Sequence, residues 1–522
     1  MTHRAATLAA MLAALALLAF GVMRGTYAAG GSDSSCYALM ADAFARGEVQ
    51  PYTTLALEAP WPDAPRTFAP AGFIPSSVVP GAASPICAPG FSLILAPFRS
   101  IAGRDGIFVV TPLAGALLVW MAFVVGRRLG GPWTGVTAAL VVATMPVLLY
   151  QVTQPMNDVA VTALWMSIVA AAFSAEPSRP WLIGACTGLA TLIRPNLAPA
   201  SIAVGVWLLA VAGRGDAHVV KSARGALRLR HAIAFGLAAL PSMLVLFALN
   251  YRLYGHPLQS GYGRAADLFS LSNVLPNVQQ YGRSLFETQL GVPLLGAFAV
   301  LLATRSKPTV WLALATSAAT ITVYLLYRPY PEWWYLRFLL PALATLTVLA
   351  VVVLASVLER FVTAPVVRAV CALLAVGALI WFSVATASRR QVFELQQLES
   401  RFRRAGQTVG DQLPSNAFLI TVWQSGTVRF HSDRPSLLWD SLEPASLDQT
   451  VTWLTARGFE PYLLLERWEE PLFRERFERG SAIGRLDWPP RFDIVRQVRI
   501  FRLADRVPYM RGEAVPTAYI LR

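Results

Sequence analysis

Charge is scarce in this chain, and lysine scarcer still. Of its 522 residues only 14% are charged, against about 25% in a soluble domain, and the only lysines are Lys221 and Lys307. Four cysteines are too few to build a chain of this length around disulfides, and five scattered histidines outline no histidine metal site. There is no Walker A loop, no Gly-rich dinucleotide fingerprint and no Gly-x-Ser-x-Gly elbow. Those absences remove the usual cradles for nucleotides and the strained serine nucleophile.

What the chain has in quantity is apolar sequence. Hydrophobic residues make up 55% of it, and the mean hydropathy is +0.50. Apolar runs of roughly 18–22 residues match the length that crosses a bilayer as a helix. The reading is an α-helical polytopic membrane protein with about 11 transmembrane helices and a C-terminal soluble α/β or α+β domain. The expected segments are 5–23, 107–126, 133–150, 159–174, 181–193, 196–212, 232–250, 290–304, 309–327, 338–357 and 367–386. The first is too long for a signal-peptide core and is read as a retained span. Arg194-Pro195 breaks one apolar stretch into two helices, because proline removes a backbone donor and disfavours helix at the residue before it. Residues 1–390 form the expected membrane domain, with a first loop over 25–105, and residues 391–522 the soluble one. Within the latter, Ala417–Val422 and Tyr462–Leu465 read as buried strands, and 446–458 and 471–479 as helices.

The net charge of +14 does not describe a nucleic-acid surface, since acidic and basic residues nearly cancel beyond residue 392. The excess sits in short loops, where it reports topology. With the N-terminus in the cytoplasm, Arg4, Arg127, Arg128, Arg179, Arg214, Arg305 and Lys307 all fall on the cytoplasmic side. The opposite side receives Asp33, Asp158, Arg194, the 251–285 loop with His256 and Tyr262, Glu332, Arg337 and the tail. This phase puts the C-terminal domain on the extracytoplasmic side, and a bacterial inner membrane is the expected location.

Ionisable residues at membrane depth are costly, so each is a candidate for function. A carboxylate beside fixed guanidinium groups suits sugar transfer from a lipid phosphate. The carboxylate acts as general base on an acceptor hydroxyl, and the cations hold the phosphate as it leaves. Simpler roles stand beside these. Asp33 and Asp158 are also placed to cap helices, Arg194 to snorkel from a broken helix, and Arg337 to pair with Glu332. Trp333-Trp334-Tyr335 reads equally as an interfacial aromatic belt. Cys36 and Cys87 share the first loop and are a candidate disulfide if that loop meets an oxidising compartment. Cys186 and Cys371 lie in apolar runs and read as packing residues.

Several segments together resemble a known family. Gly31-Ser32-Asp33-Ser34-Ser35-Cys36-Tyr37 is similar to the first-loop Asp motif of the GT-C integral-membrane glycosyltransferases, in the branch of protein O-mannosyltransferases and lipid A aminoarabinose transferases. Ala88-Pro89-Gly90-Phe91 looks like its Pro-Pro-Gly segment, with Ala88 in place of the first proline, and Pro155-Met156-Asn157-Asp158 like its second acidic motif. Leu192-Ile193-Arg194-Pro195, Tyr254-Gly255-His256-Pro257 with Ser260-Gly261-Tyr262, and Tyr335-Leu336-Arg337-Phe338 resemble recurring segments of bacterial members. The resemblance covers about residues 1–390. It implies a polyprenyl-phosphate-linked sugar donor, a lipid, glycan or protein acceptor, and inverting transfer on the extracytoplasmic face. It assigns Asp33 as the catalytic carboxylate with Asp158 in support, Arg194 and Arg337 as donor-phosphate ligands, and Glu332, Tyr262 and His256 to substrate. No cofactor is implied; a divalent metal stays open, because two carboxylates share one face, but is not favoured. Trp333-Trp334 is followed by Tyr335 and is not the Trp-Trp-Asp motif of oligosaccharyltransferases. A transporter or flippase of a lipid-linked sugar is the alternative, since it would need the same charged residues without chemistry.

Overall fold

The computed structural model describes residues 2–173, 179–211, 221–302 and 307–521. Arg214 and Arg305, two of the topology markers, lie outside the described residues. The chain divides into two compact units: one comprises 1–25, 108–246 and 264–395, the other 26–107, 247–263 and 396–522.

The first unit is a helical bundle. At its centre is the helix Leu340–Phe361, in which every residue from Leu340 to Val353 is buried. Val110–Gly130, Pro132–Ala143 and Asn157–Ala172 pack against it, and Thr2–Met23 packs on the first two of these. Lipid gives apolar helices no hydrophobic reason to associate, so contact relies on close backbone approach at small residues. Gly135 shows this: a Cβ there would lie 2.7 Å from the carbonyl oxygen of Phe123. Pro365–Arg389 is at the other extreme, with only 6% of its apolar window buried. Cys371 on that helix is exposed, so its packing role does not hold within the chain.

Among the described residues, six helices are long and apolar enough to cross a membrane, or eight if each bent pair counts as one span. The expected eleven segments are helical, but three of them, Asn157–Ala172, Pro180–Ile193 and Pro195–Ala210, are shorter apolar helices. At 1.5 Å per residue these fall short of about 30 Å of hydrocarbon. The expected segment 133–150 is bent by 64° between Pro132–Ala143 and Pro146–Val152. That over 290–304 is the second arm of a 103° bend following Leu271–Gln289. The break at Arg194 is present: Pro180–Ile193 ends there, a 3-10 turn Pro195–Leu197 follows, and Ala198–Val211 resumes.

The second unit redraws the expected domain boundary, because the first loop and the tail fold into one body. Its strands are β1 (Phe73–Pro75), β2 (Ala83–Pro85), β3 (Ala417–Ile420), β4 (Ser436–Leu437), β5 (Glu460–Glu466), β6 (Phe492–Ile494), β7 (Val498–Arg502) and β8 (Ala518–Ile520). β1 and β2 form a small antiparallel ladder. The other six make one mixed sheet in the order β4-β3-β5-β7-β6-β8. Side chains alternate across the sheet, as a period of two requires. Phe418, Ile420, Leu463, Leu465 and Phe501 face one core, and Ala417, Leu419, Tyr462, Leu464 and Ile500 the other. The helix Ser400–Gln412 supplies Ala405 and Val409 to the second core. The first is closed by Leu447–Ala456, Glu469–Phe477 and four buried residues of the first loop, Ala56, Trp61, Ala64 and Phe68. Trp61 meets Trp453 edge-on at 5.2 Å between ring centroids, and Phe68 meets Phe418 at 6.1 Å. Thr67 O accepts from Leu438 N at 2.7 Å, and Ser425 Oγ accepts from Ala71 N at 2.9 Å.

Trp61→Ala is therefore expected to destabilise the second unit by about 3–5 kcal/mol, read as an earlier unfolding transition in detergent. An unchanged transition would mean that the loop merely rests on the sheet. Burial of Glu469 beneath Trp423 supplies a second test. Burial, with the charges of Glu466 and Asp440 nearby, pushes its carboxyl up to about 7, against the hydrogen bonds from Glu466 N and Trp423 N. The folded state thus holds this proton more tightly than the unfolded chain. Its contribution is complete below the ordinary value of 4.5 and is lost as pH rises through about 7. Stability of this unit should fall across that window in the wild type and stay level in Glu469→Gln, followed by denaturant titration of tryptophan fluorescence.

Candidate active site

Asp158 lies in the first turn of the helix Asn157–Ala172 and is completely buried. It does not act as the N-cap, which is Met156. Two guanidinium groups converge on its carboxylate. Arg194 comes from the break after Pro180–Ile193, where φ −142° and ψ 86° turn the chain out of the helix. Its Nη2 donates to Asp158 Oδ1 and, at 2.9 Å, to Asn157 Oδ1. Arg337 comes from the 3-10 segment Trp333–Leu339 and reaches Asp158 Oδ2 at 4.0 Å. Arg194 and Arg337 are 7% and 9% exposed, so neither snorkels to water, and Arg337 reaches Asp158 rather than Glu332. By itself the trio carries one more positive than negative charge.

Aromatic rings enclose both cations. Arg194 lies 5.8 Å from the ring centroids of Tyr324 and Phe338, and Arg337 lies 5.2 Å from those of Tyr335 and Phe338. Tyr324 stacks on Phe338 at 5.0 Å, and Tyr330 on Tyr335 at 4.3 Å. Trp333 is buried against Tyr150 at 5.4 Å, which makes it a packing residue rather than part of an interfacial belt. Tyr324 lies inside an apolar span, where nothing in the local pattern marks it as part of a site. Asn157 was visible only as the neighbour of Asp158. Tyr281, on the helix Val274–Gln289, is a further buried residue in this unit that the sequence reading passed over. Glu332 precedes the 3-10 segment and is exposed.

Asp33, His256 and Tyr262 belong to the second unit. Asp33 is half-buried in the first turn of the helix Gly31–Ala45, three residues after the N-cap Gly30, so the capping role does not hold. Gly31 takes φ 62°, a conformation that favours glycine. The helix is not an amphipathic surface helix: every residue from Ser34 to Ala43 is buried. Asp42, within that run, pairs with Arg46 and Arg99. A Cβ on Gly30 would overlap the Phe402 ring, and Ser35 abuts Gly426. The segment before Asp33 is pinned by Thr427 Oγ1 donating to Ala29 O at 2.6 Å and by Ala29 N donating to His431 Nε2 at 3.3 Å. Cys36 and Cys87 form a disulfide, tying this helix to the start of Pro89–Gly106. His256 is exposed, and its Nδ1 accepts from Leu258 N at 3.2 Å, a turn contact. Tyr262 is 38% exposed. Among the described residues no group of three His, Cys, Asp or Glu is arranged to hold a metal ion.

A model of the dolichyl-phosphate-mannose-protein mannosyltransferase family matches residues 85–239, a stretch that includes Asp158 and Arg194. The crystal structure of ArnT from Cupriavidus metallidurans bound to undecaprenyl phosphate superposes with a TM-score of 0.56, covering 89% of this chain and 94% of that one at 14% identity. The chain has the fold of this ArnT. The same ArnT in the apo state covers 88% of this chain and 93% of its own, at TM-score 0.56 and 13% identity. The archaeal oligosaccharyltransferase AglB from Archaeoglobus fulgidus, in complex with an inhibitory peptide and a dolichol-phosphate, aligns over 93% of this chain and 72% of its own, at TM-score 0.49 and 12% identity. No curated protein matches the sequence.

Within this fold the Asp158–Arg194 pair should also carry stability. Arg194→Ala leaves a buried carboxylate without its nearer cation and is expected to cost about 3–5 kcal/mol. Adding Asp158→Asn should restore most of that loss. Equal melting temperatures for the wild type and Arg194→Ala would remove the pair from the fold's requirements.

Proposed function

We propose that this chain is a membrane glycosyltransferase that moves a sugar from a polyprenyl-phosphate-linked donor to an acceptor hydroxyl. The observation that carries this reading is the convergence of Arg194 and Arg337 on buried Asp158 inside an aromatic enclosure. Such a site supplies fixed positive charge for a phosphate in a low-dielectric setting, where it acts most strongly. A fold shared with a transferase that binds undecaprenyl phosphate supports the same donor class.

In this scheme Asp33 is the general base. The acceptor oxygen attacks the anomeric carbon as its proton passes to the Asp33 carboxylate, and the sugar–phosphate bond breaks with inversion. The polyprenyl phosphate leaves as an anion, its charge held by Arg194 and Arg337, so no acid is needed to protonate it. Asp158 keeps the two guanidinium groups in place. The disulfide, the rigid entry to the Asp33 helix and the basic loops support an active face outside the cytoplasm, in a bacterial inner membrane. No cofactor is assigned, and the acceptor is a lipid, a glycan or a protein hydroxyl.

Movement of the same lipid-linked sugar across the membrane is the second reading. The bends at residues 144–145 and 290–291 favour it, since broken spans in both halves of a chain are a transporter trait. Purified Asp33→Asn separates the two. Transfer from a polyprenyl-phosphate sugar should fall by about 100-fold or more, with donor binding retained, while Arg337→Ala should raise the donor KM. Wild-type transfer by Asp33→Asn would take Asp33 out of the chemistry. Transbilayer movement of donor without transfer in the wild type would establish the transporter.

A further inference from the structure

A kink in the helix Pro89–Gly106 opens a basic pocket wholly within the second unit. Ala102 (φ −117°, ψ 17°) and Gly103 (φ 69°, ψ −160°) leave helical geometry and turn Arg104 and Asp105 off the helix axis. Arg99, before the kink, and Arg403, Gln407 and His431 complete the walls of a space of about 440 Å³. That volume lies in the range of small-molecule sites, about 300–1,000 Å³.

The walls offer hydrogen-bond donors. Three guanidinium groups line the pocket against one carboxylate, Asp105. Arg99 is anchored to buried Asp42 at 2.7 Å. Arg403 pairs with Asp105 at 3.0 Å and Arg104 with Asp433, but these two carboxylate side chains are 56% and 68% exposed. Pairs so exposed contribute little, so an incoming oxyanion exchanges with them at small cost. His431 adds an uncharged donor. Its Nε2 accepts from Ala29 N, which leaves the ring proton on Nδ1. Burial, with Arg403 and Arg104 beside it, pushes its pKa down to about 3 and keeps the ring neutral. Planar guanidinium forks and fixed neutral donors around one cavity match the oxygens of a tetrahedral phosphate.

We propose that this pocket is a phosphate-binding site, with Arg104 and Arg403 as its principal ligands and Arg99, Gln407 and His431 as supporting donors. Ile101, next to the kink and 86% exposed, gives the segment an apolar contact, so the phosphate comes either from a membrane-lipid headgroup or from solution. The inference stands independently of sugar transfer, since binding is what it predicts.

The test uses the full chain in nanodiscs. In one arm, radiolabelled inorganic phosphate is titrated by equilibrium dialysis into phosphatidylcholine discs at constant ionic strength. In the other, melting temperature is compared between phosphatidylcholine discs and discs containing phosphatidylglycerol. Saturable phosphate binding identifies a soluble source, and stabilisation by phosphatidylglycerol alone identifies a headgroup. In either arm Arg104→Gln with Arg403→Gln should weaken the response about tenfold or more, while Arg479→Gln, an exposed arginine of the same unit, should leave it unchanged. Asp433→Asn frees Arg104 from its competing carboxylate and should tighten binding about two- to fivefold. That gain decides the matter even if the double variant folds poorly. No saturable phosphate binding together with no lipid preference in the wild type overturns the proposal. So does a response that neither weakens in the arginine variant nor tightens in Asp433→Asn.

Discussion

A carboxylate with no exposure to water requires a cation at its side, and much of the first unit's irregularity follows from that requirement. Asp158 sits among apolar helices, where an isolated ion would be far too costly. Bringing Arg194 to it needs the helical break at Pro195, and bringing Arg337 needs the 3-10 turn ahead of the central helix. Neither departure from regular geometry suits packing alone. Both cations then need company of their own, and the rings of Tyr324, Tyr335 and Phe338 supply negative faces where water cannot. The aromatic enclosure and the broken helices are consequences of one buried charge.

The second unit solves a different problem, that of covering a six-stranded sheet on both faces. Helices from the tail cover most of it, but the face carrying Phe418 and Leu463 is left with a gap that Trp61 and Phe68 fill. The loop that carries Asp33 is thereby committed to the sheet. The Ala29 contacts with Thr427 and His431 extend the same commitment to the residues just before the Asp33 helix.

Much of this architecture was legible in the sequence. The apolar runs mark the helices because lipid and protein interior both select for them. The period-two strands at residues 417 and 462 appear where expected, as does the break at Arg194. Two kinds of feature were not legible. The apolar pattern reports burial but not direction, so the 64° bend within 133–150 leaves no mark in it, and the polar helix Val274–Gln289, first arm of the 103° bend, has no apolar run to distinguish it from a loop. Long-range partnership was also hidden. Trp61 and Phe68 stand in a Pro-rich loop with no periodicity, and nothing local indicates that their partners are Trp453 and Phe418. The candidate site shows the same division. Residue type and topology brought Asp158, Arg194 and Arg337 forward, but the choice of Asp158 over Glu332 as the partner of Arg337 depends on which helices meet. Asp33 was placed at a cap by its neighbourhood, whereas the helix starts at Gly31 and carries it in the first turn.

The assembly of the second unit from residues 26–107, 247–263 and 396–522 has a consequence for biosynthesis. Chains fold largely from the N-terminus as they emerge, at roughly 5–20 residues per second. The loop bearing Asp33 is therefore made early, and within it Cys36 and Cys87 can join while the rest is still being synthesised. The sheet that covers Trp61 and Phe68, and the helix Ser425–Ser432 that binds Ala29, are made much later. Until then the Cys36–Cys87 disulfide can tie the loop to itself, but Trp61 and Phe68 lack Trp453 and Phe418, the rings they pack against.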